Sequence, residues 1–150
     1  MSGWLLDTNV VFEITRRDGD PRVLSWAASQ PEHGLHLSVL TLGEYDKGIH
    51  NLPAGSALRL KTEADLSILE IRFARRVLSV SDAIVRRWGR ISGEILFATG
   101  RAPEVIDTLL AATAIEHGLV LATRNVRHVQ DTGARIFNPW EDDPRSLPTA

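Results

Sequence analysis

The sequence predicts an α/β fold: a three-layer α/β/α sandwich around a central, mainly parallel sheet of four or five strands. Short apolar runs alternate along the chain with stretches of helical periodicity, the pattern of a parallel sheet covered by helices. With 150 residues, 43% of them hydrophobic, the chain can build one compact domain with a substantial core. Three carboxylates border the apolar runs, and two follow strands at the edge where open α/β sheets bind ligands.

The elements follow in order. Trp4-Leu5-Leu6 is the first strand, and Asp7 ends it. A helix is expected from Asn9 or Val10, then a loop at Arg16-Arg17-Asp18-Gly19-Asp20. Pro21 can open a helix running to about Ser29, because proline suits the first helical position. Gly34 precedes a second strand, Leu35 to Val39. The next helix is expected from Thr41 to Asn51, with Leu42, Tyr45, Ile49 and Leu52 as its apolar stripe. Pro53-Ala54-Gly55 breaks the chain, and a helix follows over about Ser56 to Leu69. Val77 to Val80 reads as a short strand. Ser81-Asp82 then caps a helix with Ile84, Trp88, Ile91 and Ile95 on one face, which leaves Arg86, Arg87 and Arg90 facing solvent. Gly100 ends it. Pro103-Glu104 opens another helix that runs to His117, with Gly118 as its C-terminal cap. Leu119 to Thr123 is a buried strand, and Ala134 to Phe137 the last one. The polar stretch Glu141 to Ala150 carries two prolines and is expected to be a mobile tail.

Composition excludes several chemistries. There are no cysteines, hence no disulfide, zinc–thiolate site or cysteine nucleophile. No apolar stretch approaches the roughly 20 residues of a membrane span. The N-terminus lacks a basic region and a cleavable apolar segment, so a soluble cytoplasmic protein is expected. Net charge is -2, which argues against indiscriminate nucleic-acid binding. All 17 basic residues are arginine except Lys47 and Lys61; arginine's planar fork suits phosphate, although a GC-rich genome produces the same bias. Phosphate loops and Gly-x-Ser-x-Gly elbows are absent, and the five histidines show no zinc-type i, i+4 pair.

What remains is the acids. Asp7 lies at a strand end, Glu44 in the expected first turn of a helix, and Asp107 in the first turn of another. Asn125 follows Thr123, at a further strand end. Alone, each has an ordinary role: Asp7 as a helix cap, Glu44 as partner of Thr41 in a capping box, Asp107 favouring a helix dipole, Asn125 as a turn residue. The dipole does not explain why Asp107 shares a helical line with Leu110, Ala111 and Ala114. Clustered carboxylates near a core are costly unless a cation neutralises them, and an all-oxygen set suits Mg2+ or Mn2+.

The same residues resemble a known family. Leu5-Leu6-Asp7-Thr8-Asn9-Val10-Val11; Leu40-Thr41-Leu42-Gly43-Glu44 with Lys47-Gly48-Ile49; Val105-Ile106-Asp107 with Leu110 to Ala114; and Thr123-Arg124-Asn125-Val126 with Phe137-Asn138-Pro139-Trp140 are similar to PIN-domain ribonucleases. The nearest subgroup is the VapC-type toxin of bacterial toxin–antitoxin pairs. The resemblance runs from Leu5 to Trp140 and implies a PIN domain over residues 1–140, ahead of the tail 141–150. It implies a Mg2+- or Mn2+-dependent endoribonuclease, usually a homodimer, neutralised by a cognate antitoxin. Carried over by position, Asp7, Glu44 and Asp107 are the metal-binding and catalytic acids, with Asn9 and Thr123 as polar residues behind them. A fourth acid of the family falls on Asn125, whose amide adds no negative charge. His128 and Val129 stand where an aspartate and a phenylalanine are common. RNA, with tRNA as one candidate, would be held by arginines; Arg16, Arg17, Arg86, Arg87, Arg90 and Arg124 are the candidates. Two other readings compete: a catalytically weak PIN-like module that binds RNA or a partner, favoured by Asn125, and an aspartyl-phosphate enzyme, disfavoured because Asp7-Thr8-Asn9 lacks the second aspartate such enzymes use.

Overall fold

The computed structural model describes residues 3–146. Along them run β1 (Trp4–Leu6), α1 (Thr8–Thr15), α2 (Pro21–Ser29), β2 (Leu35–Ser38), α3 (Val39–His50), α4 (Ala57–Arg72), β3 (Val77–Leu78), α5 (Asp82–Thr99), α6 (Val105–His117), β4 (Val120–Ala122), α7 (Val126–Val129) and β5 (Ile136–Phe137). Single 3-10 turns occupy Glu32–Gly34 and Pro144–Ser146. All strand pairs are parallel, in the order β3-β2-β1-β4-β5. The predicted fold class is the observed one. Part of the tail expected to be mobile, residues 147–150, lies outside the described residues; residues 138–142 form a turn in which the Asn138 amide donates to Asp142 Oδ2 (2.7 Å).

Side-chain alternation along the strands builds the layers. Trp4 and Leu6 of β1, and Val120 and Ala122 of β4, point into the larger core with α1 to α4. Leu5 and Leu121 point the other way, onto Leu110, Ala111 and Ala114 of α6. Ala112, on α6, instead meets Ile84 and Ile91 of α5. Thus α6 is apolar on several sides because it lies between the sheet and α5. In the larger core, Trp4, Trp26 and Phe137 form an aromatic triangle, with Trp4 meeting Trp26 edge-on at 4.9 Å between ring centres. Gly100 and Gly118 end α5 and α6 at φ of 71° and 64°, the left-handed turn that glycine adopts without a Cβ penalty.

Two helix starts differ from expectation for physical reasons. Helix α1 starts at Thr8, because Asp7 itself caps it: its carboxylate accepts from the Thr8 amide at 2.7 Å. Helix α3 starts at Val39, because Ser38 Oγ accepts from the Leu40 amide at 3.1 Å. Glu44 is therefore in the second turn, and Thr41 and Glu44 form no capping box. The short α7 has no counterpart in the sequence reading, since four residues hold too little periodicity to register. No helix among the described residues is long and apolar enough to cross a membrane.

Candidate active site

The strand order reverses direction at β1, with β2 on one side and β4 on the other. Beyond the carboxyl ends of β1 and β4 lies the crevice where such sheets hold ligands. Register decides what enters it. Leu6 pairs with Ala122, so the next residues, Asp7 and Thr123, emerge side by side. The Asp7 amide donates to Ala122 O (2.9 Å), and Thr123 Oγ1 donates to Asp7 Oδ2 (2.6 Å).

Asp7 is the centre of the arrangement. It is 5% exposed, and Asn9 Nδ2 also donates to its Oδ2, at 3.2 Å. Burial pushes the carboxyl up from 3.8 to about 6; the Thr123 and Thr8 hydrogen bonds oppose that shift, while the charges of Asp107 and Glu44 reinforce it. The two other acids are therefore close enough to be felt electrostatically. Asn9 reaches further: its Oδ1 accepts from the Arg124 amide (3.3 Å), tying the start of α1 to the loop after β4.

Glu44 and Asp107 each have a partner of their own. Thr8 Oγ1 donates to Glu44 Oε1 (2.7 Å), leaving Thr41 Oγ1 to donate to Thr8 (3.0 Å). His128 Nδ1 bonds Asp107 Oδ2 at 2.6 Å, across from α7 to the first turn of α6. Asp107 continues the line of Leu110, Ala111 and Ala114 that packs on the sheet, so the rotation of α6 aims it at the sheet edge. Asn125 is exposed; its backbone amide donates to Thr123 Oγ1 (3.0 Å), and its side chain makes no capping bond to α7.

Among the described residues, no three acids or histidines are drawn into a cluster that could hold a metal ion. Glu44 and Asp107 bond Thr8 and His128 instead. The donor set is nonetheless what a hard divalent ion takes, carboxylate and amide oxygens around one acid whose charged form is destabilised. The residues fit such an ion in type and charge: Glu44 and Asp107 each engage a partner through one carboxylate oxygen, which leaves the other oxygen for an ion.

The predicted arginines divide. Arg16 pairs with Glu13 and Asp18, Arg86 with Asp82 on its own helix, and Arg87 with Glu116 on α6. Arg87 is only partly exposed, a correction to the solvent-facing position expected of it. Arg17 and Arg90 are exposed, and Arg124 lies 5.0 Å over the Trp140 ring. Sequence reasoning singled out neither Thr8 nor a role for His128. Their signal lies in contacts between residues far apart in the chain.

Comparison with known proteins finds relatives that span nearly the whole chain. The family profile described as PIN domain matches residues 4–132. A VapC ribonuclease, Y4jK, of Sinorhizobium fredii is 33% identical over 144 residues, covering 91% of this chain and 97% of its own. Toxin FitB of Neisseria gonorrhoeae is 32% identical over 141 residues, covering 92% and 99%. The solved structure of FitAB bound to an IR36 DNA fragment superposes with a TM-score of 0.82 at 28% identity, covering 93% of this chain and 97% of that one.

Proposed function

The chain belongs to the PIN-domain family, and on that premise we propose that it is a Mg2+- or Mn2+-dependent endoribonuclease of the VapC toxin type, neutralised by a cognate antitoxin. The observation that carries the reading is Asp7: a buried carboxylate at the switch point of the sheet, raised to about 6, with Asp107 and Glu44 acting on it. A buried carboxylate whose charged form is disfavoured, with two further acids acting on it, is an arrangement that a bound cation would stabilise.

Asp7, Glu44 and Asp107 would hold the ion, which when bound supplies Lewis-acid activation of a water and of the scissile phosphate. The chain's own residues prepare that chemistry. The Thr8 amide, Thr123 hydroxyl and Asn9 amide fix both oxygens of Asp7 before any ligand arrives. Thr8 also orients Glu44, and His128 orients Asp107. Asn125 contributes an amide oxygen at most, so the site carries one negative charge fewer than a four-acid centre and should hold a second ion only loosely. Unpaired loops, as in tRNA, are the natural substrate, because A-form duplex hides its base edges. Action in the cytoplasm as a homodimer belongs to the same proposal.

The test is cleavage of a mixed RNA pool by the purified protein with Mg2+, with Mn2+ and with EDTA. Cleavage in either metal, absent in EDTA and in Asp7→Asn with an unchanged circular dichroism spectrum, is expected. No cleavage by the wild type under any of these conditions would refute the nuclease reading.

A further inference from the structure

The acids account for chemistry but not for how a polyanion is held against them. A groove of about 380 Å³ opens where the loop after β4 meets the turn at Asn138, lined by Arg124, Arg127, His128 and Glu141 among others. It starts at the candidate active site: His128 bonds Asp107, and the neighbouring Asn125 amide bonds the hydroxyl that holds Asp7.

We propose that this groove is the RNA-backbone subsite, with Arg124 and Arg127 as the residues that bind a single strand as it enters the acid cluster. The proposal rests on the ribonuclease reading and extends it to the substrate's path. Arg16, Arg86 and Arg87 are engaged by carboxylates of their own. Arg127 has no ion-pair or hydrogen-bond partner among the described residues. Arg124 holds its guanidinium over the Trp140 ring, 5.0 Å from the ring centre, and its side chain is otherwise unbonded among the described residues. That stacking holds the fork in one orientation, which lowers the entropy lost on meeting a phosphate. An exposed guanidinium plane is also a surface on which an unpaired base can stack, and a paired base cannot. Arg90 is equally without a partner among the described residues, but it stands on α5, which packs against α6 rather than at the strand ends.

Among the described residues Glu141 is the one carboxylate lining the groove, and it predicts an effect of opposite sign. Removing its charge should strengthen binding of a polyanion, an outcome that damaged folding cannot imitate.

The experiment measures anisotropy of a short fluorescein-labelled single-stranded RNA against the full chain in EDTA, over a series of salt concentrations. Arg127→Ala and Arg124→Ala should each weaken binding about fivefold and flatten the log–log salt dependence by about 0.7, the loss of one phosphate contact on a single strand. Arg127→Lys should recover most of the affinity, because only charge is needed there. Arg124→Lys should not, because an ammonium lacks the planar fork that Arg124 presents over Trp140. Glu141→Gln should tighten binding about twofold, and Lys61→Ala, at an α4 residue paired with Asp65, should leave it unchanged. Wild type that fails to bind the RNA at low salt, or Arg124 and Arg127 variants with unchanged affinity and slope, would overturn the proposal. Unchanged RNA binding with lost affinity for an acidic peptide would also overturn it and assign the groove to a protein partner. Cleavage in Mn2+ is scored separately, so absence of nuclease activity refutes the catalytic reading without touching the binding result.

Discussion

Asp7→Asn should make the metal-free protein more stable at neutral pH and above while removing its metal-dependent cleavage. Burial pushes the carboxyl from 3.8 to about 6, with Asp107 and Glu44 adding to the shift. At about 1.4 kcal/mol per pH unit, holding Asp7 charged costs the fold about 3 kcal/mol. The amide does not recover all of that. Asp7 Oδ1 accepts from the Thr8 amide, while Oδ2 accepts from Thr123 and Asn9. An asparagine that keeps its oxygen toward Thr8 turns its NH2 to the other two; the Thr123 hydroxyl can rotate to accept, but Asn9 loses its acceptor, at about 1 kcal/mol. The net gain is about 2 kcal/mol, or about 4–8 °C in unfolding temperature for a chain of this size. Because the folded state raises this pKa, it binds the Asp7 proton more tightly than the unfolded chain between 3.8 and about 6. Wild type therefore loses stability relative to the variant as pH rises through that window. Below pH 3.8 both side chains are neutral, and the gain should vanish. Thermal unfolding of the two proteins in EDTA across this range reads the difference directly, so other carboxylates cancel. Adding Mn2+ should then stabilise the wild type and leave the variant unmoved. A variant no more stable than wild type at about pH 8, or a difference that does not change with pH, would refute the claim that Asp7 is buried at an electrostatic cost.

Ser38→Ala removes the cap of α3 and should cost about 1 kcal/mol, lowering the unfolding temperature by about 2–4 °C. Phe137→Ala opens a void between Trp4 and Trp26 and should cost about 3–5 kcal/mol in urea unfolding. Glu32 is held down from 4.5 to about 2 by its hydrogen bonds to Arg72 and then Arg76, so its contribution is present above 4.5 and lost as pH falls through 2. Its side chain is 52% exposed, and screening keeps the effect of Glu32→Gln below about 1 kcal/mol; the destabilisation measured at neutral pH should disappear at about pH 2.

The fold was legible where a pattern is local. Trp4-Leu5-Leu6 and the run from Leu119 could be read as buried strands because six or seven apolar side chains have no other use at those places. The start of α3 could not. Val39 and Leu40 extend the apolar run of β2, and Thr41-Leu42-Gly43-Glu44 imitates a capping box, so the sequence pattern places the helix start two residues late. The deciding bond is Ser38 Oγ to the Leu40 amide, which forms only because the strand ends with that serine buried. Strand order is a further step removed: Trp4 pairs with both Leu35 and Val120, and nothing near Trp4 in sequence specifies either partner.

The candidate site divides along the same line. Asp107 could be singled out because three residues at helical spacing from it, Leu110, Ala111 and Ala114, all pack on the sheet, which leaves the acid one direction in which to point. Thr8 could not be singled out. It sits between Asp7 and Asn9, and its hydroxyl looks like any threonine in a first helical turn. Only when β1 and β2 pair in parallel do Thr8 and α3 leave adjacent strands on one edge, and only then can Thr8 reach Glu44 and Thr41 together. The residue that aims a carboxylate is therefore identified by strand pairing, whereas the carboxylate is identified by its misfit in apolar sequence. That asymmetry makes Thr8→Val a sharper probe than any acid variant: it keeps all three charges and the shape of the side chain, and removes one hydroxyl. If Glu44 acts from the position Thr8 gives it, cleavage should fall while Asp7's effect on stability persists. Unchanged cleavage would mean that Glu44 leaves Thr8 before it acts.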